Sequence, residues 1–189
     1  MLWRNLRQWQ ALAWLARLAV VLAAAGVTAG CWQPLYGARP AGGEGVQDKF
    51  AAVDIPPITA SKGTPAERVA VGMRNALQFD LHNGGSPMPP VYALNVSVVS
   101  TQYTTYVDPT TGRPDSQIQI FTAYYQLVEL ATDKTVVSES TTANVDYDIP
   151  GSQQRFAGQR ARRDAEDRAV QVAADAIRNR LASYFVAGT

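Results

Sequence analysis

Cys31 is the residue whose type and setting point to covalent chemistry. It is the only cysteine among 189 residues and follows Val27-Thr28-Ala29-Gly30 directly. Small side chains at the two positions before it let an extended backbone enter a peptidase site, and an unpaired thiol is open to alkylation. The pattern is that of a lipobox. The thiol takes a diacylglyceryl group, the chain is cut before Cys31, and the new amino terminus is acylated. Thr28 stands where Leu, Val or Ile is usual. With a single cysteine no intramolecular disulfide forms.

No other side chains gather into a reactive constellation. His82 is the only histidine, which leaves a zinc-type site without a second imidazole. It falls in the last turn of a predicted helix, where a cation suits the helix dipole. Asp146 and Asp148 alternate along a predicted strand, so they read as a solvated face rather than an acid/base pair. Gly42-Gly43-Glu44-Gly45 does not join a strand to a helix, so it is no phosphate loop. The chain is therefore expected to be a binding or assembly protein and not an enzyme. No catalytic residue, no metal and no cofactor is expected beyond the lipid on Cys31.

The elements around Cys31 divide the chain. Residues 1–30 read as a cleaved lipoprotein signal peptide: Arg4, Arg7 and Arg17 without an acidic residue, then an uncharged apolar run from Leu18 to Val27. That run of about ten residues is half of what a spanning helix needs. Acyl chains contribute about 0.8 kcal/mol per buried methylene, so several on one cysteine make a firm anchor. Trp32, not Asp, follows the cysteine, which favours transfer to an outer membrane. The whole chain carries 17 basic and 16 acidic residues, and loss of the signal's three arginines leaves 14 and 16. Near-neutral charge does not suit a general nucleic-acid binder.

Residues 31–49, rich in Gly and Pro, read as a lipidated flexible tether, and residues 50–189 as a single domain. Phe50 to Ile58 suggests a short edge strand stopped by Pro56-Pro57. Thr64-Pro65-Ala66-Glu67 is a helix start with a capping box, and Asn83-Gly84-Gly85 a helix stop. Val69, Met73, Ala76, Leu77 and Leu81 recur between them at helical spacing. Three long strands follow: Val91 to about Tyr106, Gln117 to about Ala131, and Thr135 to Asp148. Polar turns at Asp108–Asp115 and Thr132-Asp133-Lys134 separate them.

A last helix runs from about Gln153 to Phe185, with Ala169, Val172, Ala173, Ala176, Ile177, Leu181, Tyr184 and Phe185 expected to face the core. Its first half pairs Arg160 with Asp164, Arg162 with Glu166, Arg163 with Asp167 and Asp164 with Arg168 at i,i+4 spacing. The fold class is α+β: a two-layer sandwich with two helices on one face of an elongated, mainly antiparallel four-stranded sheet. Seven of the basic residues outside the signal lie between Arg155 and Arg180; a helix face neutralised by its own acids accounts for them. Arg113 and Lys134 lie in strand-connecting turns, where ordinary turn chemistry or a phosphorylated ligand could use them.

Three segments resemble a known family. Cys31-Trp32-Gln33-Pro34-Leu35-Tyr36-Gly37 is similar to the opening of alphaproteobacterial lipopolysaccharide (LPS)-assembly lipoproteins of the LptE type. Tyr147-Asp148-Ile149-Pro150-Gly151-Ser152, with Phe156-Ala157 and Arg162-Arg163-Asp164-Ala165-Glu166, resembles their strand-to-helix junction, and Arg180-Leu181-Ala182-Ser183-Tyr184-Phe185 their final helix. The resemblance implies two helices on a four-stranded sheet. It also implies a periplasm-facing outer-membrane lipoprotein that plugs the LPS-translocon β-barrel (LptD type) in a 1:1 complex, helps it assemble, and binds LPS in transit. Arg113 and Lys134 are candidate LPS contacts by location. The competing expectation is a periplasm-facing lipoprotein serving another envelope complex.

Overall fold

The computed structural model describes residues 45–60, 63–85, 88–112, 114–149 and 155–188. The lipobox with Cys31, the segment up to Glu44, and Arg113 lie outside the described residues. Among the described residues, seven elements follow in order: α1 (Val46–Ala51), β1 (Val53–Asp54), α2 (Pro65–His82), β2 (Tyr92–Val107), β3 (Pro114–Glu129), β4 (Lys134–Asp148) and α3 (Arg155–Ala187). The four strands form one open mixed sheet in the order β1-β2-β3-β4, parallel between β1 and β2 and antiparallel elsewhere.

Local chemistry explains α2. The hydroxyl of Thr64 accepts the N–H of Glu67 at 3.4 Å, and Pro65 opens the helix. The Glu67 carboxylate reaches back to the N–H of Gly63 at 2.5 Å, one residue upstream of the expected partner. Asn83 ends the helix in the left-handed region, at φ 50°. Val69, Met73, Ala76, Leu77 and Leu81 are buried as their spacing requires, with Ala70 beside them.

The segment before α2 departs from the expected strand. Phe50 lies in the short helix α1, and the strand is only two residues long. Asp48 at the third helical position accepts the N–H of Gly45 at 3.0 Å, a helix-start contact. β1 reaches only Tyr92 and Ala93 of its neighbour. An aromatic cluster fixes this corner: Phe185 of α3 lies 5.7 Å from the Phe50 ring and 5.3 Å from Tyr92. Lys49 sits over the Phe185 ring and donates to its carbonyl at 3.1 Å.

At about 3.3 Å per residue, the 16-residue strands β2 and β3 are each about 50 Å long. Their register continues from Tyr92↔Glu129 to Thr104↔Gln117, with irregularities only towards Val107. The face towards the helices carries Leu94 and Val98, then Phe121, Ala123 and Leu127, then Val137, Ala143 and Val145. Opposite them, α3 buries Ala165, Ala169, Val170, Ala173, Ala174, Ile177, Leu181, Ala182 and Phe185. Val172, expected in the core, is 55% exposed instead; a helix has 3.6 residues per turn, and the buried stripe runs through Ala169 and Ala173 with Val170 and Ala174 on its other flank. Alanines there let α3 sit close to the sheet. The Phe121 ring beneath is fully buried, and truncating such a ring costs about 3–5 kcal/mol.

Candidate functional site

Polar groups trapped under the helices brace the core face. Gln119, 1% exposed, donates to the Ser100 hydroxyl at 2.6 Å and the Thr101 carbonyl at 3.0 Å. The Tyr147 hydroxyl donates to Gln117 at 2.6 Å and accepts from Gln102 at 3.1 Å, tying β2, β3 and β4 together. Burial pushes the Tyr147 phenol up. Nearer the other end, Arg180 of α3 grips Glu139 of β4 at 2.8 Å, and the Tyr125 hydroxyl donates to the same carboxylate at 3.4 Å. The hydrogen bond from Arg180 holds Glu139 below the usual carboxylate range.

The opposite face of the sheet is different in kind. Successive three-strand rows are Asn95/Gln126/Ser138, Ser97/Tyr124/Ser140, Val99/Thr122/Thr142 and Thr101/Ile120/Asn144. None holds a charge. The next row, Tyr103/Ile118/Asp146, meets the first acidic residue. Thr122 and Thr142 hydroxyls bond across the strands at 3.2 Å, and Gln126 donates to Ser138 at 3.4 Å. Val99, Tyr103 and Tyr124 are each more than half exposed on this surface. Neutral hydroxyls and amides interspersed with isolated apolar side chains can bond to a polar wall without ion pairing.

Of the two candidate anion contacts, Lys134 is among the described residues and Arg113 is not. Lys134 opens β4, exposed, opposite Glu129 at the β3–β4 turn. Pro114, the covalent neighbour of Arg113, opens β3 at its other end. The length of β3, about 50 Å, lies between Pro114 and the turn that Lys134 closes. The turn before Pro114 is shaped by Asp108, which accepts the N–H of Thr110 and the hydroxyl of Thr111, each at 2.8 Å. Those bonds, the backbone one first, hold its carboxyl below the usual range. His82 at the end of α2 lies 3.0 Å from the Val53 carbonyl, a structural contact. Asp146 and Asp148 are exposed on the open face, as alternation predicts.

Sequence spacing did not show the joint between helices. Arg162 holds Glu166 at 2.9 Å and Arg168 holds Asp164 at 2.8 Å within α3, as expected. Arg68 of α2, however, crosses to Glu166 and to Asp167, the latter at 2.6 Å. Charge identity gives no hint of which acid an arginine on another helix will reach.

A family model described as LptE, lipopolysaccharide-assembly, matches residues 50–181. The chain belongs to the LptE family. Among curated proteins no sequence relative is found. The LptE fold recurs in a candidate lipoprotein from Caulobacter crescentus, 21% identical, TM-score 0.57, over 75% of this chain and 96% of that one. It recurs also in the rare lipoprotein B of Shewanella oneidensis, 17% identical, TM-score 0.51, over 71% and 96%. An LptE-type chain is a lipopolysaccharide-assembly lipoprotein. Among the described residues no helix is long and apolar enough to cross a membrane, and no group of three or more His, Cys, Asp or Glu is placed to hold a metal ion.

Proposed function

We propose that this chain is an outer-membrane lipoprotein, anchored through acyl groups on Cys31, that plugs the β-barrel of the LPS translocon in a 1:1 complex, supports its assembly, and helps deliver LPS to the cell surface. The open face of the sheet is the observation that carries the reading. Barrel interiors are polar. A plug's contact surface must therefore form hydrogen bonds without stranding charges, and four successive rows of the sheet offer hydroxyls, amides and scattered apolar groups without one charge. Length is compatible as well: strands of about 50 Å exceed the roughly 25 Å apolar band of an outer-membrane barrel.

The LPS step requires a cation for its phosphates. Lys134, at the β3–β4 turn, and Arg113, next in sequence to Pro114, are the candidates. Affinity purification of the tagged mature lipoprotein from outer membranes, with partners identified by mass spectrometry, tests the plug. One large β-barrel at near-equal stoichiometry is expected. Recovery of the native lipoprotein without any barrel after mild detergent extraction rejects the reading and leaves a different envelope complex as its partner.

A further inference from the structure

The two long edges of the sheet are unlike each other. β4 carries Lys134, Glu139, Asp146 and Asp148 along its length. β2, Tyr92-Ala-Leu-Asn-Val-Ser-Val-Val-Ser-Thr-Gln-Tyr-Thr-Thr-Tyr-Val107, carries no charge and no proline. Charges and prolines are the usual guards of an exposed edge, because unpaired backbone groups there template the addition of another strand. β1 covers only Tyr92 and Ala93, and among the described residues nothing pairs with β2 beyond them on that side.

The backbone direction of each residue follows from two hydrogen bonds. The Val91 carbonyl accepts Leu130 N–H at 2.9 Å, on the β3 side. Tyr92 N–H donates to the Ala52 carbonyl at 3.2 Å, on the β1 side. Antiparallel pairing alternates, and the register with β3 is uninterrupted as far as Thr104. Leu94, Val96, Val98, Ser100 and Gln102 therefore turn both backbone groups outward, while Asn95, Ser97, Val99 and Thr101 bond to β3.

We propose that this edge, from Leu94 to Gln102, receives an extended uncharged segment of the barrel partner as a further strand of the sheet. The inference rests on the plug reading and adds to it the place and mode of contact. An uncharged occupant is required because a charge laid along this edge would find no counter-ion on β2 and would lose water. Backbone bonds supply affinity in such strand addition, and side-chain alternation supplies register.

Hydrogen exchange with single-residue resolution, on the free lipoprotein and on its purified barrel complex, reads the edge directly. Exchange at Leu94, Val96, Val98, Ser100 and Gln102 is expected to slow about tenfold or more in the complex, with the intervening amides protected in both. Equal exchange in both samples overturns the proposal. So does protection already present in the free protein, which would mean that the chain itself or a second copy covers the edge. Val98→Pro gives an independent arm. It deletes an outward N–H and no bond to β3, so the chain should fold with an unchanged circular dichroism spectrum while recovery of the barrel falls about tenfold. Val98→Thr should recover the barrel normally. A folded Val98→Pro chain that retains the barrel at the wild-type level overturns the strand addition and leaves the plug intact; a wild-type chain that recovers no barrel rejects both.

Discussion

Arg68 on α2 donates to the carboxylate of Glu166 on α3, and Arg162 meets the same carboxylate from within α3. Glu166 is 3% exposed, whereas its two arginines are 38% and 42% exposed. The buried partner is thus the acid, and its removal leaves cations that water can still reach. Glu166→Gln should cost about 1–2 kcal/mol, below the roughly 3–5 kcal/mol of a fully buried broken pair. Arg68→Met should cost about 1 kcal/mol or less, since Arg162 remains. Urea denaturation of the two variants checks the order; a larger loss for Arg68→Met would shift the weight of the joint to Asp167.

Tyr125 gives a pH dependence. Burial first, and the Glu139 charge second, push its phenol up to about 12. Below about pH 10 the phenol is protonated in folded and unfolded chains alike. Between there and its folded value the unfolded chain releases the proton and the folded one keeps it, so stability falls as pH rises. Tyr125→Phe should flatten that alkaline decline. Denaturation midpoints compared at about pH 9 and about pH 11 measure it, and an unchanged slope would assign the decline to other groups.

Anchoring depends on one sulfur. Cys31→Ala should move the chain from the membrane fraction to the soluble periplasm and abolish labelling by radioactive palmitate. Membrane retention in that variant would mean that the segment before Cys31 stays attached.

LPS contact should be local. Lys134→Glu or Arg113→Glu should weaken binding of purified LPS more than Arg168→Glu, because Arg168 is already engaged by Asp164 at 2.8 Å. The separation of Lys134 from Pro114 by the length of β3 makes the first two effects independent, so the double variant should lose their sum in free energy. Equal losses at all three positions would indicate diffuse electrostatics.

Much of this fold was legible because its signals are local. Thr64, Pro65 and Asn83 mark both ends of α2, and partial alternation in β2 and β3, Thr, Ser and Val content in β4 and the polar turns between them marked the three long strands to within three residues at each end. What failed was decided elsewhere in the chain. Phe50 has the side chain of a strand residue, but its place in α1 is fixed by Phe185, far along the sequence. Spacing puts Ile118 and Ile120 on one face of β3 without deciding whether that face is covered; the helices cover the Phe121 side. Alternation identifies a face without saying which layer lands on it. The uncharged edge of β2 was visible as composition, but it became an edge only once β1 proved two residues long.

The ring contacts of Phe185 also set an order of events. Its partners, Phe50 and Tyr92, lie near the start of the folded body, and Phe185 itself is in the last turns of α3. A chain emerging amino end first has all its strands in hand before that ring exists. Until α3 arrives, Phe121, Ala123 and Leu127 face water, and closure across so long a sequence span is slow. The interval between the end of β4 and the completion of α3 is when this protein most needs protection from association with its neighbours, and its last helical turns bring that interval to a close.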